Sequence, residues 1–259
     1  MKRIHLFEFE DLPWFPNWIR ICMTRLIVVM HKKFDTSRDM AILLADLIKR
    51  TGATKIIDLC SGSGGPMIDT IALLRNQHHL EDVELVLSDL YPNLEAAKRI
   101  NSSSDYIQYR TTPLDATHID DSIQGIFTMV GSFHHMRPDQ ARSILAVVQS
   151  KKQPICIMEI NKKFPLLLWW LFIPLSVILC LFITPLARPL TIRQLIFTYI
   201  IPVIPLCFAW DAVISSGRIY RLEDLDELLQ GIKDDTYIWK KDVIEGKSEK
   251  IYLMGYPKK

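Results

Sequence analysis

A glycine-rich turn in the first third of the chain has the composition of a nucleotide-binding loop. A short apolar run ends at Asp58 and is followed by LCSGSGG, in which Ser61, Gly62 and Gly64 stand. Glycines at such a turn remove the side chains that would keep a bound cofactor away from the backbone at the end of a strand. We therefore predict that these four residues form part of a cofactor site.

A second acid, Asp89, stands where the next predicted strand ends, and it forms a second part of the site together with Leu90. A carboxylate at this place accepts hydrogen bonds from both hydroxyls of a ribose. A dinucleotide site would need a third glycine where this chain has Met67, so NAD and FAD are disfavoured. The alternative is that the glycine turn and Asp89 are ordinary structural features of a loop and a cap.

Alternating strands and helices must hold these residues. The β-α-β rhythm predicts a doubly wound α/β sheet of seven strands. The first five are parallel, and two strands late in the chain complete the sheet. The predicted strands are 55–59, 83–88, 106–110, 123–130, 154–160, 236–241 and 250–256. A helix over 37–50 begins at Thr36 or Ser37 as N-cap and ends at Gly52, and Pro92 starts a later helix. Helices over 138–149 and 222–229 are also expected. The predicted divisions are an N-terminal segment 1–35, a core 36–162, an apolar insertion 163–212 and a completion of the core over 213–259.

Residues 36–160 resemble the class I S-adenosylmethionine-dependent methyltransferases, whose first motif is an acid, a strand end and a G-x-G turn, as in Asp58 to Gly64. The resemblance implies a Rossmann-like fold, S-adenosylmethionine (SAM) as methyl donor and S-adenosylhomocysteine (SAH) as product. It implies that Asp58 and Gly62 lie near the methionine part and that Asp89 binds the ribose. It also implies that Gly131 lies close to the transferred methyl group.

The same resemblance assigns an adenine-contacting turn to LDAT, which contains Asp115 and Ala116. Asp115 would accept a hydrogen bond from the adenine amino group, or it could equally cap its own loop. The whole chain is similar to a branch of the family with which it shares several short motifs. This similarity does not identify the methyl acceptor. Those motifs are Trp14-x-Pro16, SGSGGP at 61–66, FHH at 133–135, Thr198-Tyr199, Pro202, Pro205, Trp210-Asp211, Ser215, Arg218 and Tyr220. Ala212 stands where the branch has a glycine.

Methyl transfer needs an acceptor atom in line with the methyl group and, where the acceptor carries a proton, a base. His134 and His135 follow the fourth predicted strand, and Glu159 ends the fifth, so all three are candidate catalytic residues. Adjacent histidines on a short turn point in different directions, so we expect at most one to reach the site. The alternative is that both are structural.

Three further candidates, Asp211, Arg218 and Tyr220, follow the apolar insertion and should return the chain to the same cleft. A hydrogen-bonded pair between Asp211 and Arg218 could instead anchor the insertion.

The apolar insertion contains 24 uncharged residues over 164–187, long enough by itself to cross a bilayer. Two features disfavour a crossing, because the chain must return to its sheet and a hairpin would carry Arg188 and Arg193 across. Prolines divide the insertion, which favours a monotopic membrane anchor. A spanning hairpin, a soluble lid or a homodimer interface are the alternatives. An amphipathic helix over 14–30 would lie beside it at the membrane, or else cover a sheet edge.

Composition sets further limits. A formal charge of +2 with no concentrated basic face argues against a nucleic-acid partner. Five scattered cysteines show no zinc-ligand spacing, so no metal is expected and the thiols indicate the cytoplasm. Acids near the N-terminus interrupt any signal peptide. The sequence thus predicts a cytoplasmic, membrane-associated methyltransferase of a hydrophobic or membrane-derived small molecule. The alternative is a non-catalytic scaffold with a methyltransferase fold.

Overall fold

The computed structural model describes residue 1, residues 3–160 and residues 169–258. Within these residues, seven strands form one sheet in the order β3-β2-β1-β4-β5-β7-β6. Strands β1 to β5 are parallel, and β7 runs antiparallel between β5 and β6. The strands are β1 Lys55–Asp58, β2 Glu84–Leu87, β3 Ile107–Tyr109, β4 Ile126–Val130, β5 Ile155–Ile160, β6 Tyr237–Ile244 and β7 Lys250–Pro257. The predicted doubly wound seven-stranded sheet is confirmed.

Helices cover both faces of this sheet. They are α1 Asn17–Lys33, α2 Thr36–Thr51, α3 Met67–Gln77, α4 Leu94–Asn101, α5 Pro138–Ser150, α6 Trp169–Ile183, α7 Ile192–Tyr199, α8 Val203–Arg218 and α9 Leu222–Leu229. Helices α2, α3 and α4 bury apolar residues on one face, among them Leu44 and Ile71. Helices α5 and α9 do so on the other face, where Ile144 and Leu228 are buried. The sheet is therefore a buried middle layer, as its apolar strands require.

The order of the strands fixes where a ligand can bind. The chain passes from β1 to β2 in one direction along the sheet and later returns to β4 on the other side of β1. At such a reversal the connections diverge and leave a crevice beyond the carboxyl ends of the strands. The loops after β1, β2, β4 and β5 all border this crevice.

Two predicted helix starts are wrong by one or two residues. Helix α2 follows Asp35, which has φ of 54° and no side-chain cap, and Thr36 lies inside the helix with its hydroxyl 3.1 Å from His31 Nδ1. Helix α4 begins at Leu94 and not at Pro92, because Asn93 Oδ1 accepts a hydrogen bond from the backbone N–H of residue 96. The predicted end of α2 is confirmed, since Gly52 has φ of 75° there.

Helix α1 joins the core to the apolar insertion. Its apolar face, including Met23 and Leu26, forms a third buried cluster with residues of α6 and α8 such as Ile183 and Phe208. The apolar face of the predicted 14–30 helix is thus covered by the insertion. The helix itself runs three residues later than predicted, because Pro16 occupies its N-cap position.

The insertion consists of short helices. A 3-10 turn at 184–186 follows α6, and α7 and α8 come next. Helix α6 continues through Pro174, where the sequence predicted a break. Helix α8 extends past residue 212, the predicted end of the insertion. Part of the predicted apolar run, 164–168, lies outside the described residues. In the described part of the chain no single helix is long and apolar enough to cross a membrane. Helices α7 and α8, bent by 77° relative to each other, are together long and apolar enough by length and composition only.

Candidate functional site

Two cavities lie at the carboxyl edge of the sheet. The first, which we call the glycine-loop cavity, is bordered by the loops after β1, β2 and β4 and covered by α1. Its wall includes Ser61, Gly62, Asp89, Leu90 and Gly131. Five of the residues predicted to bind the cofactor thus surround one cavity, because the strands that carry them are neighbours in the sheet.

Asp89 fastens the glycine loop to the end of β2. Its Oδ2 accepts a hydrogen bond of 2.7 Å from the backbone N–H of Gly62, and its Oδ1 accepts one of 2.8 Å from Tyr91. Burial raises the pKa of Asp89 above its usual value, although both hydrogen bonds oppose the shift. Each carboxylate oxygen keeps a lone pair for a further donor, as a ribose hydroxyl would supply.

The backbone of the glycine loop is held in a left-handed turn. Gly62 has φ of 56° and Gly64 has φ of 101°. A Cβ on Gly64 would stand 2.5 Å from the Ile68 side chain, so only glycine fits there without movement. The Tyr109 hydroxyl donates to the Gly62 carbonyl at 2.7 Å. The loop is thereby fixed in position before any ligand binds.

Asp58 lies beneath the glycine loop and does not contribute to the wall of the glycine-loop cavity. It is buried, and its carboxylate accepts hydrogen bonds from Ser61 Oγ at 2.7 Å and Thr128 Oγ1 at 2.6 Å. Burial raises the pKa of Asp58 to about 7, against the effect of these two hydroxyls. Asp58 therefore supports the glycine loop from beneath.

Asp115 and Ala116 follow β3 and also stand apart from that wall. The Asp115 carboxylate binds the backbone N–H and hydroxyl of Thr117 at 2.8 and 2.7 Å, and His118 Nδ1 lies 3.3 Å away. Ala116 is buried in the core. Of the two roles predicted for Asp115, these contacts correspond to the loop cap.

Helix α1 forms the roof of the glycine-loop cavity. Thr24 Oγ1 and Ser63 Oγ are 2.8 Å apart, which joins the helix to the loop. The Arg20 guanidinium lies over the Tyr91 ring at 4.6 Å and donates to the carbonyls of Glu10 and Leu12. The polar side of the amphipathic helix therefore faces the predicted cofactor site.

The second cavity, which we call the histidine cavity, lies beyond the end of β5. It is lined by Glu8, Glu10, Met23, Ile27, Met30, His31, Gly131, His134, His135, Glu159, Ile160, Phe208, Asp211, Ala212, Ser215 and Ile219. Both histidines line it, whereas the sequence predicted at most one. The reason is that residues 133–135 form a 3-10 turn in which the two rings lie 4.3 Å apart at 33°, so both edges meet the same space.

The two cavities share part of their walls. The shared residues are Glu10, Ile27, His31, Gly131 and His135. Gly131 has φ of 65°, and a Cβ there would approach the His31 ring to 3.3 Å. A glycine is therefore needed to keep the junction between the cavities open.

His134 is held between two carboxylates. Its Nδ1 lies 2.9 Å from Glu159 Oε2, its backbone N–H donates to Glu159 Oε1 at 3.1 Å, and its Nε2 lies 3.9 Å from Glu8 Oε2. Burial alone would lower the pKa of His134, but Glu159 and Glu8 raise it to about 10. Burial likewise favours a raised pKa for Glu159, and His134 reverses it, so that the pKa of Glu159 is lowered.

His135 lies beside Asp11, with its Nδ1 2.6 Å from Asp11 Oδ1. Arg218 is 1% exposed and donates to Asp11 Oδ2 at 2.6 Å, and its guanidinium is 3.0 Å from Glu8 Oε1. Burial would raise the pKa of Asp11, but His135 and Arg218 hold it well below its usual range. Arg218 thus lies behind the carboxylates that face the histidines.

The expected pair between Asp211 and Arg218 is replaced by contacts to the N-terminal segment. Asp211 accepts hydrogen bonds from the backbone N–H groups of Phe9 at 2.8 Å and Glu10 at 3.2 Å. Arg218 donates to the Leu6 carbonyl at 2.8 Å. The two side chains are a turn or more apart on α8, and the segment lies across both. Burial raises the pKa of Asp211 to about 8.

Tyr220 lies outside the wall of the histidine cavity. It is 1% exposed, its hydroxyl donates to the Met136 carbonyl at 2.9 Å, and its ring packs on Phe133 at 5.2 Å. The Arg3 guanidinium lies over the Tyr220 ring at 3.7 Å. These contacts support the 133–135 turn from behind.

The acids of the N-terminal segment were not predicted as site residues from the sequence. Glu8, Glu10 and Asp11 were considered only as residues that interrupt a signal peptide, yet they border the cavities. Burial and the nearby Asp211 and Glu8 carboxyls raise the pKa of Glu10 well above its usual value. Their spacing among phenylalanines was a signal, because acids inside an apolar run often occupy a buried site.

Comparison with known proteins supports the fold. No protein-family model and no curated protein matches the chain. Among solved structures, the plantazolicin methyltransferase in complex with SAH has a TM-score of 0.52 at 9% identity, over 93% of this chain and 98% of that one. Human N-acetylserotonin methyltransferase in complex with SAM has a TM-score of 0.50 at 12% identity, over 88% of this chain and 55% of that one. Mitomycin 7-O-methyltransferase has a TM-score of 0.46 at 13% identity, over 80% of this chain and 50% of that one.

The chain spans about half the length of the last two enzymes. At these identities the likeness concerns the fold. The chain has the fold of the class I SAM-dependent methyltransferases, as the resemblance in its sequence predicted.

Proposed function

We propose that this protein transfers the methyl group of SAM to a small hydrophobic molecule. SAM would bind in the glycine-loop cavity, and the acceptor would bind in the histidine cavity. The observation that carries the proposal is the junction of the two cavities at Gly131 and His135. An in-line displacement needs donor and acceptor in separate spaces that meet at the reacting atoms, and this arrangement provides them.

The glycine-loop cavity suits SAM better than a dinucleotide. Gly62 lines the cavity and allows a ligand to approach the backbone, whereas the predicted Gly64 lies outside the cavity wall and only shapes the turn. Asp89 offers two carboxylate oxygens at the end of β2. Met67 is buried at the start of α3, where a dinucleotide fingerprint would have its third glycine. The SAM and SAH bound to proteins of the same fold support this assignment.

The histidine cavity suits an apolar molecule with one polar reacting group. Met23, Ile27, Met30 and Phe208 are among its apolar lining residues. Histidine and carboxylate side chains also line the cavity, and His135 does so at the junction, where it can contact an acceptor oxygen or nitrogen. Apolar walls with a few convergent polar groups are typical of small-molecule sites.

Calorimetry tests the donor site. We expect SAM and SAH to bind the wild-type protein and NAD not to bind. Asp89→Ala should abolish measurable SAM binding, because it removes the two carboxylate acceptors and releases the Gly62 N–H. Asp82→Ala, which removes an exposed aspartate before β2, is the matched control. Tight binding of NAD, or unchanged SAM binding by Asp89→Ala, would contradict the proposal.

A methyl-transfer assay separates an enzyme from a scaffold. Small molecules that copurify with the protein, identified by mass spectrometry, supply the first acceptors to test with labelled SAM. We expect His135→Ala and Glu159→Gln to lower turnover at least tenfold while SAM affinity stays nearly unchanged. Normal turnover by both variants would remove these residues from catalysis. SAM binding without any methyl transfer would favour the non-catalytic alternative.

We also propose that the insertion brings the protein to a membrane surface. Several of its large apolar side chains are exposed, among them Phe182 at 77%, Ile192 at 77% and Ile200 at 74%. The insertion, residues 163–212, contains three basic residues and one acid, Asp211, which is buried. In its described part, an apolar surface that carries the exposed Arg188 and Arg193 and no exposed acid is complementary to anionic lipid.

Liposome flotation tests this contact. We expect the protein to float with vesicles that contain anionic lipid and less with neutral vesicles. Phe182→Ser with Ile200→Ser should weaken flotation, whereas Ile42→Ser, which changes an exposed apolar residue on α2, should not. Flotation that is equal for all variants, or a stable dimer that buries these residues without lipid, would contradict the proposal.

A further inference from the structure

We propose that Glu8, His134 and His135 bind a divalent transition-metal ion at the wall of the histidine cavity. One ligand atom from each residue lies within 4.8 Å of the other two. Glu8 Oε2 is 3.9 Å from His134 Nε2 and 3.9 Å from His135 Nδ1. One carboxylate oxygen thus lies at the same distance from a nitrogen of each imidazole.

The two distances of 3.9 Å match a shared ion better than hydrogen bonds. A hydrogen bond between nitrogen and oxygen is about 2.7 to 3.2 Å long. Two ligand atoms that are each about 2.1 Å from one zinc ion stand no more than about 4.2 Å apart. Both observed distances fall between these limits. Two histidines and a carboxylate form a common ligand set for Zn²⁺, Co²⁺ and Fe²⁺.

His134 and Glu8 each make a second contact through an atom other than the proposed ligand atom. His134 Nδ1 is 2.9 Å from Glu159 Oε2, which directs Nε2 towards Glu8. The other oxygen of Glu8, Oε1, lies 3.0 Å from the Arg218 guanidinium, which leaves Oε2 for the ion. Carboxylates that hold the far nitrogen of a ligating histidine are a regular feature of metal sites.

The charges around the cluster also suit a divalent cation. Glu8, Asp11 and Glu159 contribute three carboxylates, and the guanidinium groups of Arg218 and of Arg3, which donates to the His134 carbonyl, contribute two positive charges. One negative charge is left when the imidazoles are neutral, which favours a cation, and binding of the ion would release any proton held by its imidazole ligands. The ion would replace the contact of 2.6 Å between His135 Nδ1 and Asp11 Oδ1.

Three protein ligands leave at least one coordination position for another molecule. All three line the histidine cavity, and His135 also lines the junction with the glycine-loop cavity. Three ligands with an open position are typical of catalytic zinc, whereas structural zinc has four. The ion would thus contact a heteroatom of whatever molecule occupies the histidine cavity. Metal binding itself goes beyond the proposed function and does not depend on it.

The test uses the untagged, full-length protein after dialysis against a chelator. Titration with Co²⁺ should produce the visible absorption bands of a protein-bound ion at one equivalent, and Zn²⁺ should remove them. Elemental analysis of the dialysed, Zn²⁺-loaded protein should give one ion per chain. Absence of bound Co²⁺ and Zn²⁺ in the wild-type protein would overturn the proposal and identify the cluster as an ion-pair network.

Variants assign the ion to this cluster. We expect Glu8→Gln and His134→Gln to lose stoichiometric Co²⁺ binding, and Glu159→Gln to weaken it by about 10-fold to 100-fold. His118→Gln, which changes an exposed histidine, should bind as the wild type does. Circular dichroism shows whether each variant is folded. If Glu8→Gln is unfolded, the weakened binding of Glu159→Gln is the test instead. Unchanged binding by folded Glu8→Gln and His134→Gln would overturn the assignment. SAM calorimetry on the metal-free protein tests the proposed function separately.

Discussion

The protonation of Asp58 can be tested by mutation, because burial favours the uncharged side chain there. Ser61 Oγ lies 2.7 Å from Asp58 Oδ2 and 3.0 Å from the Asp58 carbonyl oxygen, but a hydroxyl has one proton to donate. A protonated Asp58 would donate from Oδ2 to Ser61, and Ser61 would donate to the carbonyl. Oδ1 would still accept from Thr128 at 2.6 Å. Asparagine can make the same three contacts, since its Nδ2 donates where the acid's O–H does.

The expected effect of Asp58→Asn on stability depends on pH. The pKa of Asp58 rises from 3.8 in the unfolded chain to about 7 in the folded protein, mainly by burial. Between these values the unfolded chain loses the proton and the folded protein keeps it, so rising pH lowers the free energy of unfolding. A shift of about three units corresponds to about 4 kcal/mol, fully lost above pH of about 7. The amide of the Asp58→Asn variant has no proton to lose, so the variant escapes this decline.

Urea denaturation of the wild type and Asp58→Asn at pH 4.5, 6 and 8 measures the effect. We expect the variant's stability relative to the wild type to increase with pH by several kcal/mol, up to about 4. Titration of the groups that do not interact with Asp58 cancels in this difference. Asp82→Asn, on the surface, should show no such trend. A relative stability that is the same at all three pH values would refute the argument. SAM affinity should change little, because Asp58 lies beneath the loop.

Two other substitutions test the packing around the cavities. Arg218→Met should destabilise the protein by about 3 to 5 kcal/mol in urea denaturation, because it removes a buried guanidinium from the buried Glu8 and the half-buried Asp11; a loss below about 1 kcal/mol would contradict this. Gly131→Ala should cost about 1 to 2 kcal/mol because φ is 65° there. It should also weaken SAM binding in calorimetry, since the new Cβ presses on His31 at 3.3 Å. Unchanged stability and affinity would show that the junction can relax.

Local sequence patterns were enough to predict the sheet and one side of the site. The glycine turn and Asp89 follow strands that the apolar runs made visible, and parallel neighbours bring strand ends together whatever the rest of the chain does. β1 and β2 pair with Asp58 opposite Leu87, which places Asp89 beside Gly62. The position of these residues therefore followed from periodicity and strand order alone.

The other side of the site depends on contacts that no local pattern encodes. Glu8 meets Arg218, and the Ile4 N–H donates to the carbonyl of Gly217 at 2.9 Å, although these partners stand at opposite ends of the sequence. They meet because α1 packs between the glycine loop and α8. The same long-range packing turned Asp211 and Arg218 towards the N-terminal segment instead of towards each other.

Helix α8 relates the proposed acceptor site to the proposed membrane contact, because one of its faces lines the histidine cavity and another lies on the protein surface. Phe208 and Ala212 line the histidine cavity, while Leu206 is 57% exposed. A helix with its side chains is about 10 Å across, so a bilayer on the outer face would lie about that far from the acceptor. A substitution on the outer face should then affect lipid binding alone. We expect Leu206→Glu to weaken flotation with anionic vesicles and to leave SAM affinity unchanged, whereas equal flotation would mean that lipid does not contact this face.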